Sequence, residues 1–144
     1  MRRIILLTFV LCLVASTASA GSFGLRGGYT LDPDQFHIGG HYDVGQIFNP
    51  IRLVPNVEIG FGDNVTLFAL NADFIWDIPE SAFSVGAEVG LNISSWDSDH
   101  GDSSDSDLGL GILGDWRFAE QWFGEVKLGL VDSPDVKLTV GYNF

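Results

Sequence analysis

The sequence predicts an all-β protein, an eight-stranded antiparallel up-and-down transmembrane β-barrel. Three observations lead there. Apolar and polar residues alternate with a period of two in eight separate stretches. No charged residue falls on the apolar face of any of them. The polar faces carry mostly Gly, Asn and Ser with charges of both signs, instead of the long, lysine-rich side chains that suit a face in water.

The first strand is predicted at Phe23–Thr30, ended by Asp32-Pro33-Asp34, and the second at Phe36–Val44, ended by Phe48-Asn49-Pro50. In the second, Phe36, Ile38, Tyr42 and Val44 oppose His37, His41 and Asp43. The third, Ile51–Phe61, sets Ile51, Leu53, Val57, Ile59 and Phe61 against Arg52, Asn56 and Glu58, and stops at Gly62-Asp63-Asn64. The fourth, Val65–Trp76, is less regular, with Phe68, Leu70, Phe74 and Trp76 opposite Leu67, Asn71, Asp73 and Ile75. After Ile78-Pro79-Glu80-Ser81 comes the fifth, Phe83–Ile93, the most regular of all. A long polar segment, Trp96–Asp107, precedes the sixth at Leu108–Phe118. Glu120 and Gln121 turn into the seventh, Trp122–Val131, and Asp132-Ser133-Pro134-Asp135 into the eighth, Val136–Phe144.

Residues 1–20 read differently. Arg2 and Arg3 form a basic start, Ile4–Val14 an apolar stretch, and Ala18-Ser19-Ala20 a small-residue cleavage site, the pattern of a secretory signal peptide. Residues 21–144 then form one barrel domain. The single cysteine, Cys12, lies in the apolar stretch, so the expected mature chain is exported without a disulfide. Losing Arg2 and Arg3 leaves Arg26, Arg52, Arg117, Lys127 and Lys137 against nineteen carboxylates, a balance of −14. Such a charge argues against nucleic acid as a partner. No segment of residues 21–144 has eighteen consecutive apolar residues, which excludes a helical membrane span.

Two architectures accommodate these strands. A soluble sandwich or lipocalin-like barrel points the apolar faces inward; a transmembrane barrel turns them toward lipid. All five remaining cations fall on the polar faces, together with Asp43, Glu58, Asp73, Glu88, Asp115 and Glu125. Near-balance there, in a chain so acidic overall, points to ion pairs inside a narrow lumen. The other acids are expected in turns and loops. Trp76, Phe83, Trp116, Phe118, Trp122, Phe123, Phe48 and Phe144 gather at one end of the strands, as an interfacial girdle would, and Tyr29, Phe36, Phe61 and Trp96 mark the other.

The last strand, VKLTVGYNF, alternates hydrophobic residues up to Tyr142 and Phe144. With the signal-like start and eight strands, the chain resembles small bacterial outer-membrane β-barrels, of the outer-membrane protein A transmembrane-domain and outer-membrane protein X type. The resemblance implies that Tyr142 and Phe144 serve as a recognition signal for the barrel assembly machinery. It also implies that both termini are periplasmic, so that Trp96–Asp107 faces outward, and that the localisation is the Gram-negative outer membrane.

Candidate sites follow from the polar positions. A lumenal ion-pair network is expected from Arg26, Arg52, Glu58, Asp73, Glu88, Asp115, Arg117, Glu125, Lys127 and Lys137, with Arg117 beside Glu125 and Lys127, and Lys137 beside the same pair. Paired carboxylates can also do acid–base chemistry, but interleaved cations make the structural account simpler. An outward acidic loop is expected from Asp97, Asp99, Asp102, Asp105 and Asp107. Its opening Asp97-Ser98-Asp99-His100-Gly101 resembles an EF-hand start, yet the glycine comes one residue early and no glutamate follows at position twelve. Divalent cations bridging these acids to lipopolysaccharide are the looser alternative. His37 and His41 share a strand face roughly 13 Å apart, too far to hold one metal ion. His100, Asp102 and Ser103 have the residue types of a hydrolase triad but share one loop, whereas a triad needs fixed geometry.

No cofactor, metal or catalytic residue is therefore assigned. The expected function is a structural or cell-surface one, envelope integrity or adhesion, by a monomer with a polar plugged lumen among outer-membrane lipid and lipopolysaccharide. The alternatives are a lipid-modifying enzyme of the lipid A deacylase or acyltransferase type, a narrow channel, and a soluble periplasmic lipocalin-like binder.

Overall fold

The computed structural model describes residues 21–32, 34–63, 65–96 and 103–144. The expected signal peptide, with Asp97, Asp99, His100 and Asp102, lies outside these residues. Within them the chain forms β1 (Ser22–Leu31), β2 (Asp34–Asp43), β3 (Gly45–Phe48), β4 (Ile51–Gly62), β5 (Val65–Asp77), β6 (Phe83–Trp96), β7 (Ser103–Arg117), β8 (Trp122–Val131) and β9 (Val136–Asn143). Both β2 and β3 pair with β4, so they are two segments of one strand. The break falls at Val44, and Gly45 follows it with a φ of 86°, a left-handed conformation that glycine adopts without strain.

All pairings are antiparallel between neighbours in sequence, and β1 closes on β9. The result is a closed eight-stranded up-and-down barrel, in which β1 and β9 leave no open seam. Closure matters because hydrocarbon supplies no hydrogen-bond partner to an open edge. A ten-residue strand such as β1, rising about 3.3 Å per residue and tilted by about 40°, spans roughly 25 Å, the height of an apolar membrane belt.

The distribution of side chains is inside out. Asp73 is completely buried while Phe36 on β2 is 70% exposed. On β5, Phe68, Leu70, Phe74 and Trp76 point out while Asn71 and Asp73 point in. Water-soluble proteins do the opposite, since leaving large apolar side chains in water forfeits about 1.5–3 kcal/mol each. Among the described residues the interior holds a small apolar cluster, Val54, Ile75 and Leu113, on β4, β5 and β7.

Aromatic rings collect at the end of the barrel that carries Ser22 and Asn143, the near end. Phe83 stacks on Trp116 with centroids 6.3 Å apart, Trp116 meets Phe118, and Trp122, Tyr142 and Phe144 form a chain of edge contacts. Phe123 departs from the expected girdle. Its ring lies inside the barrel, edge-on to His41, with the Arg26 guanidinium 5.8 Å from its centroid. Gly141 leaves the space it needs, because a Cβ there would lie 2.1 Å from the ring. At the far end Tyr29 packs edge-on against Phe36, which faces Phe61 in register.

The polar segment before the sixth predicted strand corrects a second expectation. Pairing of β6 with β7 continues through Ile93–Ser106, Ser94–Asp105 and Ser95–Ser104 to Trp96–Ser103. Asp105 and Asp107 therefore lie in β7 and not in a loop, on a hairpin that reaches beyond the apolar belt. On the β7 side, Ser103–Asp107, the ladder forms without apolar side chains, so period-two hydrophobicity has no face to mark.

Candidate functional site

Three cations and four carboxylates meet in the middle of the barrel. Arg26, inward on β1, donates from Nη2 to Glu125 Oε1 at 2.6 Å and from Nη1 to Asp73 Oδ2 at 3.3 Å, and its Nε lies 3.4 Å from Glu58 Oε1. Lys127 on β8 donates to both Asp73 oxygens, at 3.1 and 3.0 Å, and to Glu88, and lies 3.5 Å from Glu125. Lys137 on β9 donates to Glu58 on β4. All seven side chains are buried. Period-two alternation positions each one, since a residue two places along a strand returns to the same face.

Asparagines complete the network. Asn56 Nδ2 donates to Asp73 Oδ2 at 2.8 Å, and Asn71 Nδ2 donates to Asn56 Oδ1 at 3.0 Å. Asp73 thus accepts from Arg26, Lys127 and Asn56 at once. A buried carboxylate without such partners would be costly, since taking an ion out of water carries a penalty of several kcal/mol that only good geometry offsets.

Of the ten residues expected to form one network, seven meet here. Arg52 belongs to a separate group nearer the Ser22 end. It donates from Nη1 to Asp43 Oδ2 at 2.5 Å and through Nε and Nη2 to both Asp77 oxygens, at 3.0 and 3.1 Å. Ser84 Oγ also donates to Asp77, at 2.7 Å. Sequence reasoning assigned Asp77 to a turn, although it continues the inward series Asn71, Asp73, Ile75. Arg117 is exposed, opposite Phe123 in register, and so is not beside Glu125 and Lys127 as expected. Asp115 stands opposite Glu125, and its Oδ1 has no hydrogen bond. Lys137 does face Lys127 in register, but the two ammonium groups turn to different acids.

Both histidines face inward in hydrogen bonds. His37 lies 3.1 Å from Thr30 Oγ1 through Nδ1 and 3.1 Å from Thr139 Oγ1 through Nε2. His41 Nε2 lies 2.7 Å from Asn143 Oδ1. Asp43 accepts from Arg52 and from the Gly45 N–H at 2.8 Å.

The free space divides around the network. On the near side a cavity of ≈ 30 Å³ lies among Arg26, His41, Arg52, Asp115 and Glu125. On the far side the barrel opens into a vestibule of ≈ 330 Å³ between Asp32, Gln35, Asn92, Asp107 and the β8–β9 turn. Gln35, which sequence reading passed over, sits at its base. Nothing in the local pattern marks Gln35, whose situation comes from distant strands. Tyr142, assigned to the assembly signal, is half-buried and donates from its hydroxyl to Gln121 Oε1 at 2.9 Å. Phe144 is 70% exposed, and its N–H donates to the Phe23 carbonyl at 2.9 Å.

No family model and no curated protein matches the chain. Solved structures do. It is similar to the N-terminal β-barrel domain of Pseudomonas aeruginosa OprF, at a TM-score of 0.59 and 18% identity over 86% of this chain and 96% of that one. It is similar to a de novo designed transmembrane β-barrel, at a TM-score of 0.55 and 13% identity over 86% and 94%. A third is Ail, the attachment invasion locus protein of Yersinia pestis, in complex with the heparin analogue sucrose octasulfate, at 0.51 and 16% over 86% and 96%. The fold is that of a small transmembrane β-barrel.

Proposed function

We propose that this chain is an integral outer-membrane β-barrel with a structural or cell-surface role, in envelope integrity or adhesion, and that it is not an enzyme. The observation that carries the reading is the seven-residue buried network spanning the lumen, inside a wall whose outer face is apolar. Ion pairs from β1, β8 and β9 to β4, β5 and β6 tie opposite walls together beside a cavity of ≈ 30 Å³ on the near side. That volume holds water but no solute, which supports a plugged barrel over a channel.

In this reading residues 1–20 direct export and are removed, and the assembly machinery reads Tyr142 and Phe144. The near end is periplasmic, and the β6–β7 hairpin carries Asp105 and Asp107 outward. The mature barrel is monomeric among phospholipid and lipopolysaccharide. The heparin analogue bound by Ail does not transfer, because acids ring the outward end here and would repel a polyanion. An adhesive role would then favour neutral or cationic surfaces.

The test pairs a whole-gene deletion with a deletion of residues 94–105, scored for envelope permeability and for surface attachment. The proposed role predicts a defect in one of these assays for the whole-gene deletion. Loss of attachment in both strains places function in the hairpin; a permeability defect in the first alone places it in the barrel. A mass change in lipid A on expression would overturn the non-enzymatic reading. Recovery of the protein in a soluble fraction, without heat-modifiable gel mobility, would overturn the membrane assignment.

A further inference from the structure

We propose that the far-end vestibule binds a primary alkylammonium group, with Gln35 as its buried polar anchor. The proposal rests on geometry at the far end of the barrel, beyond Lys137 and Glu58, which line a smaller cavity of ≈ 10 Å³ with Gln35. Gln35 is 1% exposed, and neither Oε1 nor Nε2 has a hydrogen-bond partner. Buried amides are normally paired, so this one calls for a partner. The surrounding strands make room for it: a Cβ on Gly60 would lie 2.5 Å from Gln35 Oε1, and one on Gly62 2.7 Å from its Cγ. Alanine at either position would displace the amide.

The walls specify the chemistry. Asp32, Asp107, Asp132 and Asp135 line the vestibule, from the β1–β2 turn, β7 and the β8–β9 turn. Four carboxylates with no lining cation select positive charge. They stand around the opening instead of converging: among the described residues no group of three or more His, Cys, Asp or Glu is placed to hold a metal ion. Val65 and Leu67, both buried, add an apolar wall. An alkylammonium matches all of this. Its methylenes cover Val65 and Leu67, and its three N–H donors reach the carboxylates and the Gln35 carbonyl oxygen. The site is held in shape by the β8–β9 turn, where Asn92 Nδ2 donates to the Asp132 carbonyl at 3.0 Å and the Asp135 N–H to the Asp32 carbonyl at 3.4 Å. The ammonium could come from a free diamine or from a lysine side chain.

The test titrates the folded barrel in detergent micelles with cadaverine, with Nα-acetyl-lysinamide, with 1,5-pentanediol and with magnesium chloride at matched ionic strength. Calorimetry gives affinity, and the Gln35 side-chain amide resonances report the site. The expected result is saturable binding of cadaverine that shifts the Gln35 amide and weakens at least tenfold in Gln35→Met and in the double variant Asp107→Asn/Asp132→Asn. Pentanediol has no effect. Saturation by Nα-acetyl-lysinamide as well extends the site to lysine side chains; saturation by cadaverine alone restricts it to free diamines. Shifts that never saturate, equal effects of magnesium, or unchanged affinity in the variants would overturn the proposal. Heat-modifiable mobility verifies that Gln35→Met is folded, and the double variant, altered only at exposed positions, decides the matter if it is not.

Discussion

At Lys127 the buried ammonium group lies against Asp73, Glu88 and Glu125. Removing it leaves three buried acids short of a partner, and breaking such a pair typically costs about 3–5 kcal/mol. Lys127→Met is therefore expected to lower the unfolding free energy in lipid vesicles by about that amount, measured by urea titration with heat-modifiable mobility as the readout. Adding Asp73→Asn to that variant should recover part of the loss, since one uncompensated charge goes with it. A Lys127→Met barrel as stable as the parent would mean that these ion pairs contribute nothing net. Arg52, paired nearer the Ser22 end and only partly buried, should cost less when replaced by Met, because solvent screens the part-exposed carboxylate of Asp77.

Strands translate residue pattern into a depth-dependent surface. Leu70 lies mid-strand on β5, opposite Val57 and Leu91 on its neighbours, with its side chain outward. Leu70→Arg should cost about 2–4 kcal/mol, whereas Phe118→Arg, at the girdle, should cost about 0–1 kcal/mol. The same vesicle unfolding measurement compares the two, and equal costs would place the apolar belt elsewhere. The β6–β7 hairpin obeys different physics. There Ser94 and Ser95 pair with Asp105 and Ser104, so backbone pairing holds these positions without apolar contacts. Deleting residues 94–105 is expected to leave the unfolding midpoint within experimental error, because no part of the buried network is touched. A large loss would show that the hairpin braces the rim.

On the scale of the whole molecule, closure is the decisive event. The β1–β9 ladder joins Gly24–Thr30 to Lys137–Asn143, so the outer edge of β1 is satisfied only when the last strand is in place. The aromatic chain Trp122, Tyr142 and Phe144 sits at that seam, beside the Phe144 N–H to Phe23 carbonyl bond. Phe144→Ala should lower the fraction of barrel inserted in the outer membrane several-fold while leaving export unchanged, as seen by fractionation and gel mobility. Normal insertion of that variant would remove Phe144 from the assembly signal.

The sequence by itself determined the strands, their faces and the barrel, because a membrane wall imposes one rule everywhere: apolar outward, polar inward, period two. Phe83, Val85, Ala87, Val89, Leu91 and Ile93 obey it without exception, and β6 was legible for that reason. The rule lapses beyond the lipid belt, so the hairpin through Asp105 and Asp107 read as a loop. It also says nothing about which inward residues meet. Lys137 with Glu58 depends on which strands stand opposite across the lumen, while Asp77 with Arg52, the inward ring of Phe123 and the unpaired amide of Gln35 depend on how neighbouring strands register. Only tertiary structure decided those, because closing the sheet brings together residues whose separation along the chain carries no local signal.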